Sequence, residues 1–150
     1  MINDIEIVPI SVDDYQFGYN IKKLTLGKYI EETYGEWNEN IQIESYKKNF
    51  DLKNNYIIKY LYRNIGWLKY NEVESIINIF QIFILPDYQG KGIGGKIIQN
   101  IIEDGIKRKK EIQLQVLKTN TKAFRLYKKL GFIVYNETET HFLLKYKIEE

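Results

Sequence analysis

The stretch Ile76-Ile77-Asn78-Ile79-Phe80-Gln81-Ile82-Phe83-Ile84-Leu85 is almost continuously apolar and stops at Pro86. It falls short of the ~20 residues of a membrane span. A strand this apolar has to be covered on both faces, as a central strand is. Four glycines follow within six residues: Gly90, Gly92, Gly94 and Gly95. Beyond them Ile93, Ile97, Ile98, Ile101, Ile102 and Ile106 recur at helical spacing, opposite Lys96, Gln99, Glu103, Asp104 and Lys107. A buried strand, a glycine turn and an amphipathic helix in that order commit the chain to an α/β fold. They also place an anion-binding turn at its centre. Glycine lets the backbone approach a ligand closely. The first N–H groups of a helix lack partners within the helix, and the dipole makes that end positive.

The rest of the chain fits around this unit. Ile5 to Ile10 reads as a first strand. Ser11 is a candidate N-cap for a helix from Asp13 to about Leu26. Gly35 separates the segment Tyr29 to Tyr34 from a second helix, Asn38 to Phe50. Tyr56 to Tyr62 and Gly66 to Tyr70 predict a hairpin turning at Arg63-Asn64. Ile112, Leu114 and Val116 alternate with Gln113 and Gln115 as in a strand. Thr119 or Asn120 then caps a helix burying Ala123, Leu126, Tyr127 and Leu130, and Gly131 ends it. Phe132 to Tyr135 and Phe142 to Tyr146 close the chain as strands. Hairpins mixed with helical crossovers predict a mixed sheet of about seven strands with about four helices, as one domain over residues 1–150.

Composition narrows the chemistry. With 22 basic and 20 acidic residues the net charge is +2, too balanced to argue for nucleic acid. The absence of cysteine excludes disulfides, thiolate metal sites and a cysteine nucleophile. One histidine, His141, speaks against a histidine-built metal site. Met1-Ile2-Asn3-Asp4 has no basic-then-apolar leader pattern, so a cytoplasmic protein with no membrane partner is expected.

The glycine cluster meets three patterns. Gly90 to Lys96 has P-loop spacing, but Ile97 stands where a Ser or Thr hydroxyl should hold magnesium. Gly90, Gly92 and Gly95 fit a dinucleotide fingerprint. Asp87, Tyr88 and Gln89 intervene after Pro86, however, and the next strand ends in Val116-Leu117-Lys118 with no acid for a ribose. The third pattern, Gln-x-x-Gly-x-Gly, is met by Gln89, Gly92 and Gly94.

Through this third pattern, the segment from Ile82 to Gly94 resembles the coenzyme A motif of the GNAT N-acetyltransferases. The run Asn120-Thr121-Lys122-Ala123-Phe124-Arg125-Leu126-Tyr127-Lys128-Lys129-Leu130-Gly131-Phe132 resembles that family's second motif. The two stand in family order and at family spacing. The resemblance is firm from about Ile76 to Phe132 and loose over the N-terminal helices. It implies a GNAT-like fold whose sheet splays at the cofactor site, with acetyl-CoA as cosubstrate and no metal. Cofactor binding then falls to the turn Gln89, Gly90, Lys91, Gly92, Ile93, Gly94 and Gly95. The backbone of Ile82, Phe83 and Ile84 would hold the pantetheine arm, with Asn120 beside it. An N–H near Ile84 becomes the oxyanion donor. Tyr127 becomes the acid toward the departing thiolate.

No general base is visible: Gln115 stands where some relatives place a glutamate, Asn78 and Gln81 are neutral, and a water chain is the working expectation. Glu31, Glu32, Glu72 and Glu74 are further candidates as base or as sites for a cationic acceptor. Tyr34 and Trp37 are expected to line the acceptor pocket, and His141 to be structural. The acceptor is a primary amine of a small molecule or a protein. The alternative is a non-catalytic acyl-CoA sensor or scaffold, and a nucleotide-binding protein is a third reading. Oligomeric state is open, a homodimer included.

Overall fold

The computed structural model describes residues 2–148; Met1, Glu149 and Glu150 lie outside them. The elements are β1 (Ile5–Pro9), α1 (Tyr15–Tyr34), α2 (Glu39–Asn49), β2 (Asn55–Tyr60), β3 (Arg63–Val73), β4 (Ile76–Ile84), α3 (Ile93–Arg108), β5 (Glu111–Leu117), α4 (Thr121–Leu130), β6 (Ile133–Glu137) and β7 (His141–Tyr146). They build one seven-stranded sheet in the order β1-β2-β3-β4-β5-β7-β6. The β4–β5 pair is parallel, joined through α3, and its neighbours on either side are antiparallel. This is the mixed sheet expected from the sequence.

Two cores lie on opposite faces. Ile77, Ile79, Ile84, Ile112, Leu114 and Val116 pack under α3 and α4, against Ile93, Ile98, Ile102 and Tyr127. Tyr19, Ile21, Tyr46, Ile57, Trp67 and Phe83 form the other, under α1 and α2. Trp67 anchors this second core: its indole N–H donates to Asn55 Oδ1 at 2.8 Å, and its ring meets Phe83 edge-on at 5.8 Å.

Two expected boundaries move. The first helix does not end near Leu26 but runs through Gly27 to Tyr34. Gly27 is buried, but a methyl group there would meet the Trp37 ring at an ordinary contact distance of 3.9 Å, and the helix carries this glycine through without a break. Gly35, at φ 101°, ends it instead. The β2–β3 hairpin turns at Leu61-Tyr62, with φ 46° and 70°, not at Arg63-Asn64. Two exposed apolar residues in left-handed geometry are an uncommon turn, and polarity pointed to the wrong pair.

One irregularity positions the site. Gln81 pairs with Lys69 and Ile79 with Tyr70, which leaves Phe80 as an extra residue in β4. This bulge inverts the strand's alternation. Ile77 and Ile79 face α3 before it; Ile82 and Ile84 face α3 after it, while Phe83 turns to the other core.

Candidate active site

Beyond the bulge the sheet opens. β4 and β5 pair from Ile76↔Glu111 to Ile79↔Leu114, and no pairing continues past that point. The backbone groups left at the gap follow from the flanking ladders. Leu85 N–H bonds the Ile65 carbonyl on β3 at 2.8 Å. By antiparallel alternation, Ile84 and Ile82 therefore turn their peptide groups away from β3, into the gap. Phe83 turns its own toward Trp67 on β3. Across the gap, Lys118 N–H bonds the Thr140 carbonyl, so Gln115 faces β4 by the same rule. A slot is thus framed by peptide groups without a strand partner, and it opens into a cleft of about 870 Å³.

The glycine turn sits at the slot's end. Pro86–Tyr88 forms a short 3-10 turn, and Gly90 and Gly92 take φ 74° and 81°, a region favouring glycine. Gly92 caps α3, leaving the N–H groups of Ile93, Gly94 and Gly95 without helical acceptors. A methyl group at Gly94 would come no closer than 3.8 Å to Ile84, and one at Gly95 no closer than 3.6 Å to Leu126. Neither glycine is demanded by packing, yet each weakens the helix relative to alanine, by up to about 1 kcal/mol. Both line the cleft, where they leave the helix backbone bare.

Gln89 fastens this turn. Its Nε2 donates to the Ile84 carbonyl at 2.8 Å, and its Oε1 accepts from Lys122 Nζ at 3.3 Å. Asn120 caps α4 by accepting from Ala123 N–H at 3.2 Å through Oδ1, while the residue also lines the cleft. Cap and ligand contact are therefore compatible, because the amide nitrogen is separate from the capping oxygen. Tyr127 lies one turn before the end of α4. The chain folds under it at Gly131, φ 107°, and Phe132 N–H returns to the Tyr127 carbonyl at 3.0 Å. Tyr127 is 8% exposed, and burial pushes its hydroxyl up to about 12.

The cleft brings together Ile82, Phe83, Ile84, Gln89, Gly90, Gly92, Ile93, Gly94, Gly95, Asn120 and Tyr127. Lys91 is exposed outside its lining. Tyr34 and Trp37, expected at the acceptor pocket, do not line it either: Tyr34 is 62% exposed, and the Trp37 indole donates to Glu39 Oε2 at 2.6 Å. The longer α1 explains the difference, because it presents Thr25, Lys28 and Tyr29 to the cleft and carries Tyr34 past it. Thr119 Oγ1 ties this wall to the β5–α4 loop by donating to the Tyr29 carbonyl at 3.2 Å. Lys122 and His141 also line the cleft, and burial lowers the imidazole below its usual range. Thr25 and Tyr29 share a face of α1 by their spacing, but no local pattern marks that face, or Lys122, as turned to the cleft. Of the four expected glutamates none lines the cleft. Among the described residues no group of His, Asp and Glu could hold a metal ion, and no helix is long and apolar enough to cross a membrane.

The family description "Acetyltransferase (GNAT) family" matches residues 22–132, well over half of the chain. The chain belongs to the GNAT acetyltransferase family. Its curated relatives include an uncharacterised N-acetyltransferase of Methanocaldococcus jannaschii, 38% identical over 68 residues, 45% of this chain and 30% of that protein. Another is the spermidine N(1)-acetyltransferase of Escherichia coli K12, 37% identical over 67 residues, 43% of this chain and 36% of that protein. Each match thus spans less than half of the relative. Among solved structures, the PaiA N-acetyltransferase of Thermoplasma acidophilum in complex with coenzyme A superposes with a TM-score of 0.74 at 18% identity, over 95% of this chain and 98% of that one. At that identity the likeness is one of fold, shared across nearly the whole chain.

Proposed function

We propose that this GNAT protein moves an acetyl group from acetyl-CoA to a primary amine of a small molecule or protein, by direct attack in a ternary complex. The observation that carries the reading is the opening of β4 from β5 beside a helix N-terminus stripped of side chains. An extended arm can add to the open strand edge through Ile82 while the turn from Gly90 to Gly95 meets a diphosphate. The slot, the bare helix end and the cleft volume all fit acetyl-CoA.

The residues divide the work. The Ile84 N–H points into the gap and serves as donor to the developing oxyanion. Asn120 donates to the pantetheine arm. Tyr127 holds its proton at any working pH, being raised to about 12, and stands as hydrogen-bond donor to the leaving sulfur. An ordinary thiol ionises near 8.5, about 3.5 pH units lower, so full transfer from Tyr127 to a solvated thiolate would be uphill by ~5 kcal/mol. A thiolate held in the same apolar place is raised too, which narrows that gap. Tyr127 therefore lowers the cost of expelling sulfur mainly by hydrogen bonding. The amine's proton leaves through water, because among the described residues no carboxylate lines the cleft.

Titration calorimetry with acetyl-CoA, followed by thiol release with an amine panel, tests the reading. Micromolar binding and turnover are expected; no heat with acetyl-CoA would sink it. The missing carboxylate favours one other reading, a non-catalytic acyl-CoA sensor, which predicts binding without thiol release for any amine.

A further inference from the structure

The cleft as a whole has an unusual charge inventory. Among the described residues its ionisable side chains are Lys28, Lys122, His141 and tyrosines, with no Asp or Glu in the lining. Nearby carboxylates are engaged elsewhere: Glu31 accepts from the Trp37 N–H at 3.3 Å, and Glu39 pairs with Lys23 at 2.8 Å. Tyrosine faces can also receive a cation. Here, however, Lys28 lies 4.9 Å from the centre of the Tyr29 ring, and Lys145 lies 5.2 Å from that of Tyr135. A second positive charge on the acceptor would be desolvated with nothing to balance it.

Against this stands one unmet donor. Gln81 follows the Phe80 bulge and lines the cleft, and its Nε2 is buried without a hydrogen-bond partner among the described residues. This N–H is closed to solvent in the empty cleft, and a turn of the Gln81 side chain toward the cleft lets a ligand oxygen satisfy it.

Resting on the acetyl-transfer reading, we infer that the acceptor is an amine with a carbonyl or carboxylate oxygen beside the amino group and no second positive charge, and that Gln81 recognises that oxygen. Free α-amino acids and peptide N-termini share this chemistry; polyamines lack it.

The test is initial-rate thiol release with acetyl-CoA over four arms: free α-amino acids, tripeptides with free N-termini, spermidine, and butylamine. At least one amino acid or tripeptide is expected to exceed spermidine and butylamine tenfold or more in kcat/KM, and comparison of the first two arms separates the sources. Gln81→Leu should lower kcat/KM for that acceptor about tenfold, leaving butylamine rates and the acetyl-CoA Kd within twofold. Gln81→Glu should raise the rate with spermidine relative to that acceptor. In parallel, the favoured acceptor should raise the Tm of the coenzyme A complex in the parent protein but not in Gln81→Leu. A preference for spermidine, an equal effect of Gln81→Leu on every amine, or neither turnover nor a Tm shift with any oxygen-bearing amine overturns the inference while acetyl-CoA binding stands. Failure of acetyl-CoA to bind overturns the underlying reading instead.

Discussion

Gln89 and Ile84 are joined by a hydrogen bond of 2.8 Å, from a side-chain amide in the glycine turn to the last carbonyl of β4. By the alternation of β4, that carbonyl and the Ile84 N–H point the same way, into the gap. The glutamine thus satisfies the carbonyl, leaves the N–H open and sets the height of the turn above the slot. Gln89→Ala should weaken acetyl-CoA binding about fivefold while costing about 1 kcal/mol of stability or less, since the residue is exposed. Calorimetry and urea melts report both, and unchanged affinity would show that the tie does not position the turn.

Gly94 and Gly95 invite the opposite trade. Neither opposes a close neighbour, so Gly94→Ala should add 0.5–1 kcal/mol of stability, about the helix-propensity difference. The added methyl projects into the cleft and should weaken acetyl-CoA at least tenfold. Paired Tm and Kd measurements check this; a variant that is more stable and binds equally well contradicts the proposed role of the bare helix end.

Tyr127→Phe should lower kcat at least tenfold and leave acetyl-CoA affinity nearly intact. The alkaline limb follows from the raised hydroxyl, about 12 in the folded protein against an ordinary 10. The folded state keeps its proton while the unfolded chain loses one, so stability is fully present below pH 10 and falls as pH rises toward 12. The loss is ~3 kcal/mol. Tyr127→Phe should make the melting profile less steep in that window, the remaining slope coming from other tyrosines raised by burial such as Tyr46 and Tyr70, and an equally steep profile would remove burial of Tyr127 as a cause.

Asn120 separates cap from ligand contact. Asn120→Asp keeps an oxygen for Ala123 N–H and should hold stability, since Asn and Asp cap about equally. It should still weaken acetyl-CoA several-fold through loss of the amide donor. Asn120→Ala should lose both, with about 1 kcal/mol of stability. Equal acetyl-CoA affinity in Asn120→Asp and the parent would reduce the residue to a cap.

At the acid end, Arg108 and Lys110 hold the Glu72 carboxyl down to about 2, tying β3 to the end of α3. Because the folded value lies below the ordinary one, this contribution is present above pH 4.5 and fades as pH falls toward 2. About a third of the side chain is exposed, so screening keeps the effect under ~1 kcal/mol. Glu72→Gln should lower stability slightly at neutral pH and converge with the parent near pH 2, as melts across that range would show.

Much of this was readable from local sequence. The apolar run from Ile76 to Leu85, the stop at Pro86 and the clustered glycines name a strand, a turn and a helix, because periodicity and glycine's backbone freedom act over a few residues. Gly131 and the stripe through Tyr127 did the same for α4. Readings failed where a residue's meaning depended on a distant partner. Tyr34 and Trp37 looked like pocket residues until α1 proved two turns longer than its pattern.

The sequence alone therefore determined the order of elements, the central strand and the glycine turn, all of which arise from neighbours along the chain. Only the tertiary structure decided that β4 leaves β5 after Ile79, that Phe80 inverts the strand's faces, and that Gln81 keeps a buried donor without a partner among the described residues. Strand separation and charge balance in a cleft depend on register and on which side chains meet across the sheet. Those are relations between residues far apart in the chain, to which no local pattern is sensitive.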